Sequence, residues 1–205
     1  MSTKSDLPLS CTCGEFAAVL HDVGPKEGTR LVCYCDDCRD FLRVIDRAEL
    51  LDEYGGNPVY QTRVAKLEII GGADKLATLH MTDKPTMRWY TTCCRTPLFN
   101  TASKAKPAFL SVNIAAVDSK TADDILGPSQ GRFASKFAER NLPAGQDRSV
   151  LWLALRAIPR VLRDTWSKAW KQFPLFDPVS REPLAAPRKV TREERAAGVL
   201  TDAGN

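Results

Sequence analysis

The seven cysteines constrain this chain more than any other feature, because they fall into three tight groups. Cys11 and Cys13 form "CTC", Cys33, Cys35 and Cys38 form "CYCDDC", and Cys93 and Cys94 are adjacent. Thiols at this local density are not explained as small buried apolar residues. An odd count disfavours a disulfide framework. So does an N-terminus, "MSTKSDLPLS", without the apolar stretch of a secretory signal, and the expectation is a reducing, cytoplasmic setting. Cys35-Asp36-Asp37-Cys38 is formally a C-x-x-C dithiol. Two carboxylates between the thiols oppose thiolate formation, however, and no βαβ pattern surrounds them. The spacings match neither common ferredoxin run.

Metal binding accounts for the pattern. Zn²⁺ prefers four tetrahedral ligands and takes thiolates readily. Two cysteines spaced C-x-C or C-x-x-C reach one ion from a single turn. Two such turns, far apart in sequence, complete a Cys₄ site that contributes on the order of 10 kcal/mol to folding. Seven ligands divide as four plus three. A Cys₄ site is closed and structural, whereas a Cys₃ site leaves one position for water or substrate. Cys33, Cys35 and Cys38 share one short loop leading into a helix whose N-terminus favours negative charge, and they suit the open site.

The remainder of the chain reads as a mainly β domain followed by helix. Hydrophobic residues make up 43% and charged residues 26% of 205 positions, ordinary for a globular protein. The net charge of +4 is compatible with an anionic substrate. No run approaches the ~20 apolar residues of a membrane span, and "VLWLALRAIPRVL" is interrupted by Arg156, Pro159 and Arg160. Strands are predicted at 15–22, 29–35, 59–70, 86–94, 97–101 and 107–117, with a helix over 39–55. The predicted division is a zinc-binding domain over 1–125, a helical extension over 126–176 and a flexible, Pro-rich and charged tail over 177–205.

In the extension, Leu151, Leu155, Ile158, Leu162, Trp166, Ala169 and Phe173 share one helical face, and Arg156, Arg160, Arg163 and Lys171 lie opposite. The apolar face is expected to pack on the domain or form a homodimer interface. The basic face with Trp152, Trp166 and Trp170 offers membrane-surface or nucleic-acid contact as a competing reading, nucleic acid being the less favoured partner.

Three segments, "SCTCGEF", "CYCDDCRDF" and "RWYTTCCRTPLFNT", resemble the glutathione-dependent formaldehyde-activating enzyme family, which includes centromere protein V-like proteins. The resemblance covers about residues 9–118. It implies an Mss4-like fold of zinc-bound β-sheets, with a structural zinc at Cys11, Cys13, Cys93 and Cys94. It implies a second, more labile zinc at Cys33, Cys35 and Cys38. The implied activity is carbon–sulfur lyase chemistry on S-hydroxymethylglutathione. The chain departs from the family's C-x-x-C-G at the third group, where Thr91 takes the first ligand position and Arg95 the glycine position. Cys93 is expected to substitute, with Thr91 or water as the alternative.

Under that chemistry an open zinc would bind the substrate thiol and lower its pKa. Arg39 is the nearest cation for an anionic thiol such as glutathione, with Arg88 and Arg95 next. His21 and His80 are expected at strand ends or on the surface. Asp36 and Asp37 cap the following helix or shuttle protons. A non-enzymatic zinc scaffold using the amphipathic helix is the alternative class.

Overall fold

The computed structural model describes residues 4–114 and 117–201. It is mainly β. A small antiparallel sheet has the order β1-β2-β5, formed by β1 (Ser5–Ser10), β2 (Ala17–Val23) and β5 (Leu67–Gly71). A larger sheet has at its centre β3 (Thr29–Cys33), β4 (Asn57–Thr62), β9 (Leu110–Asn113), β8 (Pro97–Ala102), β7 (Thr86–Thr91) and β6 (Leu76–His80), all antiparallel and in that spatial order. Short parallel strands extend both edges: β10 (Arg132–Phe133) and β11 (Asp147–Arg148) beside β3, and β12 (Pro187–Lys189) beside β6.

The single strand predicted over 59–70 is two strands in different sheets. β4 ends at Thr62, a 3-10 turn over Val64–Lys66 redirects the chain, and β5 joins the small sheet. Apolar residues of both sheets close one core around Phe16, Trp89, Leu98 and Phe99. The predicted strand over 107–117 is β9; residues 115 and 116 lie outside those described.

α1 (Asp36–Val44) follows β3 directly, and α2 (Ser119–Leu126) follows β9. α3 (Val150–Trp166) starts where Ser149 accepts a hydrogen bond from Trp152 N, and it runs through Pro159. Residues 127–148, expected within a helical extension, hold only a 3-10 turn at Ser135–Phe137 and otherwise supply β10 and β11. The segment from Asp177, expected as a loose tail, is instead docked. Its β12 pairs with β6, and Glu194 closes a capping box with Thr191 at the start of α4 (Arg192–Ala197). Arg195 of α4 then pairs with Asp37 and Asp40 of α1. Composition alone had suggested disorder; pairing along a sheet edge satisfies this segment's backbone.

The amphipathic helix also differs from expectation. Leu151 (68% exposed), Leu155 (66%), Ile158 (52%) and Trp166 (77%) face outward. The side turned to the protein carries polar anchors. Asp164 is fully buried and accepts from Arg63 Nε at 2.7 Å and from Ala65 N at 3.4 Å. Arg160 donates to Gln61 O and to the Thr29 hydroxyl. A buried pair is fixed in one geometry, and removing one partner strands a charge.

Asp164→Ala is therefore expected to lower stability by about 3 kcal/mol, or roughly 6–12 °C in Tm, by scanning calorimetry. A second prediction concerns His21, whose ring bridges Asp6 of β1 at 3.0 Å and Glu68 of β5 at 2.6 Å. Hydrogen bonds to Glu68 first and Asp6 second raise its pKa above the ordinary 6.5. The imidazolium thus contributes stability that is complete below pH 6.5 and is lost as pH rises through the raised value. His21→Gln should lower Tm at pH 5.5 and leave it nearly unchanged at pH 9; an equal loss at both would refute the charged bridge.

Candidate metal centres and their cavity

All seven cysteines are free thiols, and they converge in two groups. The first joins the turn after β1 to the turn between β7 and β8. Cys11, Cys13, Cys93 and Cys94 have their sulfurs all within 4.8 Å of one another. Individual separations are 3.4 Å for Cys11–Cys13, 3.2 Å for Cys13–Cys93 and 3.8 Å for both Cys11–Cys93 and Cys93–Cys94. Zn–S bonds of ~2.3 Å in a tetrahedron put sulfurs about 3.8 Å apart, so the donor set suits a closed thiolate site.

Local structure holds the two turns together. Thr12 N donates to Thr96 Oγ1 at 3.0 Å, Phe16 N donates to Cys11 Sγ at 3.2 Å, and Arg47 Nη1 reaches Cys94 O at 3.2 Å. Thr91, the alternative ligand, lies 3.4 Å from Cys94 Sγ through its hydroxyl and also accepts from Thr96 N. For Cys94, burial opposes ionisation, but the Thr91 and Thr96 hydroxyls together with Cys13 outweigh it and bring the pKa to about 5.

The second group is local. Cys33 ends β3, Cys35 is the N-cap of α1 and Cys38 lies in its first turn. Their sulfurs also lie within 4.8 Å of one another. Cys38 is held well below the ordinary thiol value, first by hydrogen bonds from Cys33 and Cys35; the Arg88 guanidinium adds to this against the effect of burial. The three sulfurs line a cavity of about 180 Å³.

Arg88 of β7 also lines this cavity, buried, with Nη1 donating to Cys38 Sγ at 3.3 Å and to Asn100 Oδ1 at 2.9 Å. Gln61 and Ser111 complete its polar wall. Gln61 Oε1 is buried without a hydrogen-bond partner among the described residues, an orphaned acceptor on a residue that lines the thiol-lined space. Phe133 of β10 and Leu153 of α3 border the opening. Neither was singled out from the sequence as a site residue.

Arg39, the cation expected at the substrate, is not among the residues lining this cavity. It is engaged by Asp36 at 2.5 Å and by the Phe137 carbonyl at 2.7 Å. As the fourth residue of α1 it reaches toward residues 137–139, whereas Arg88 projects inward from the sheet. Arg95 is peripheral, 3.8 Å from Asp46. Asp36 and Asp37 occupy the first turn of α1 and make no side-chain cap; Asp37 is paired with Lys84 and Arg195. His80 Nδ1 donates to Thr86 O, and His21 bridges β1 and β5, so neither reaches a cysteine group.

Arg95 has φ of 56°, the left-handed region in which a Cβ is unfavourable. Its one ion pair is long and half-exposed, so little offsets that cost. Arg95→Gly is expected to raise stability by about 0.5–1 kcal/mol in chemical denaturation; a loss would mean the guanidinium matters to the β7–β8 turn.

Among the described residues, no helix is long and apolar enough to cross a membrane. No curated protein matches the chain. The crystal structure of a Rhodobacter sphaeroides protein is similar at 18% identity and a TM-score of 0.43, covering 62% of this chain and 99% of its own. Residues 2–165 match the family model described as a family of unknown function, DUF6151, and the chain belongs to that family.

Proposed function

We propose that the protein is a zinc-dependent carbon–sulfur lyase acting on a thiol–aldehyde adduct, as its resemblance to the formaldehyde-activating enzymes implies. One observation carries this reading: three thiols and a buried guanidinium line a single cavity. In the reading, Cys11, Cys13, Cys93 and Cys94 hold a structural zinc, and Cys33, Cys35 and Cys38 hold a second ion with an open position. A zinc ion there would take the substrate sulfur as its fourth ligand and favour the thiolate form.

The chain's own residues serve the step as follows. Arg88 supplies positive charge beside Cys38, where negative charge gathers as the carbon–sulfur bond breaks. Asn100 fixes the guanidinium through Oδ1. Gln61 Oε1 offers an acceptor to the adduct's hydroxyl. In the cleavage direction the hydroxyl loses its proton, its C–O bond becomes the aldehyde C=O, and the C–S electron pair goes to sulfur. The proton reaches that sulfur through solvent, and no redox change occurs.

Metal analysis and adduct cleavage, measured together on the full chain, test the reading. Wild type should carry two zinc ions, and Cys35→Ser one, with an unchanged Tm and no cleavage of a hydroxymethyl thioether. Arg88→Met should retain both ions and lose activity by roughly 10²-fold. A Cys35→Ser variant that unfolds would instead favour the scaffold alternative, in which both sites are structural.

A further inference from the structure

We infer that the thiol-lined cavity continues into an apolar groove under α3, and that this groove holds an aliphatic tail on the substrate. Resting on the lyase reading above, this names the substrate class: an adduct whose thiol or aldehyde half is an unbranched hydrocarbon chain of several carbons.

The groove lies between α3 and the sheet and encloses about 430 Å³. Pro85, Ala102 and Pro107 form its sheet-side wall, and Ala157, Ile158, Val161 and Leu162 its helical wall, Ile158 standing half-exposed at the rim. Thr86 and Phe109 line both this groove and the cysteine cavity, so the two spaces adjoin. One ridge of α3 spans both. Leu153 borders the cavity, and Ala157 and Val161, one and two turns on, border the groove. The small Ala157 side chain leaves the space open. An apolar cavity of ~150 Å³ accepts a benzene molecule, so the groove has room for a longer apolar group.

Charge separates this substrate class from glutathione. No charged side chain is among those lining the groove. The Thr101 hydroxyl is already engaged, accepting from Trp89 Nε1 and donating to Ala102 O, both at 2.9 Å. The two carboxylates and ammonium of a glutathione-like thiol would be desolvated there without partners, which is strongly unfavourable. A hydrocarbon tail has no such cost. The polar end of the substrate then meets Arg88, Gln61 and the three sulfurs, where the polar groups of the combined space are gathered.

The test uses the full chain loaded with Co²⁺, whose thiolate charge-transfer band reports a fourth sulfur. n-Alkanethiols from ethanethiol to octanethiol are titrated by absorbance, and n-alkanols of the same lengths by calorimetry. Affinity in both series should rise about fourfold per methylene until the groove is filled. Ala157→Phe should flatten both series while ethanethiol still binds. Ala102→Leu, narrowing the groove from the sheet side, provides a second blocking variant if the first fails to fold. Leu155→Ser, on the outward face, should leave both series unchanged.

Thiols that bind with no dependence on length, together with silent alkanols, would overturn the groove and leave the lyase reading standing. Graded alkanol binding blocked by Ala157→Phe, with no thiol signal at any length, would support the groove and refute the open coordination position. A flat wild-type series that becomes graded when Leu151→Glu, outside both lined spaces, splits a dimer would give the groove to a second copy of the chain, and overturn the proposal.

Discussion

The meeting of two sequence-distant turns at four sulfurs is the constraint on which the rest depends. Cys11 and Cys13 leave the small sheet; Cys93 and Cys94 lie between β7 and β8 of the large one. The cluster therefore fixes how the sheets stand to each other at one end of the shared core. It also fixes β7, which enters the cluster at its C-terminal end and carries Arg88 toward the other sulfur group. Thiol sulfurs 3.2–3.8 Å apart, several of them exposed to water, gain little from mutual contact. Their convergence is understandable as a donor set, because bound metal contributes folding free energy directly.

α3 shows a different balance. Turning its apolar stripe inward would bury Leu151 and Leu155, each worth about 1.5–3 kcal/mol when fully removed from water. Instead Asp164 and Arg160 face the protein. Apolar burial is non-directional and accepts many rotations of a helix, whereas Arg63 accepts one position of Asp164. The polar anchors set the rotation, and with it the placement of Leu153 at the cavity and Ala157 at the groove. The outward stripe is a consequence of that choice.

Much of this was legible in the sequence, and the reasons for the remainder are physical. Cysteine spacing gave the four-plus-three grouping because short chelating turns restrict which thiols can share a centre. Short apolar runs between turn signals revealed β2, β3, β7 and β8. They did not reveal β1, which carries Pro8 in its middle, or β6, five residues long between two turns. Nor did they reveal β10, β11 and β12, which are two or three residues long and are defined by a neighbour's edge rather than by their own side chains. For α3 a helical wheel weighs apolar area and cannot see that a distant arginine, Arg63, waits for one aspartate; it left open packing on the domain or on a second copy, and Leu151 and Leu155 do not pack on the domain. Arg39 was favoured over Arg88 for nearness in sequence. In a sheet, residues far apart in sequence are neighbours, and Arg88 reaches Cys38 across fifty positions.

The charge around the three thiols follows from the same arrangement. Asp36 and Asp37, adjacent in sequence to the cysteines, are neutralised by Arg39, Lys84 and Arg195. Arg88, wholly buried, has no carboxylate among its described partners; its hydrogen bonds go to Cys38 and Asn100. Burial alone would favour the uncharged form of that side chain, yet the sulfurs of Cys38, Cys35 and Cys33 outweigh it and its pKa rises. A buried guanidinium without an anion is strongly unfavourable. In the proposed reading, three thiolates around a divalent ion would carry one net negative charge, which this single guanidinium would balance. A substrate neutral overall would leave that balance undisturbed, and the proposed groove, uncharged along its lining, would suit such a substrate.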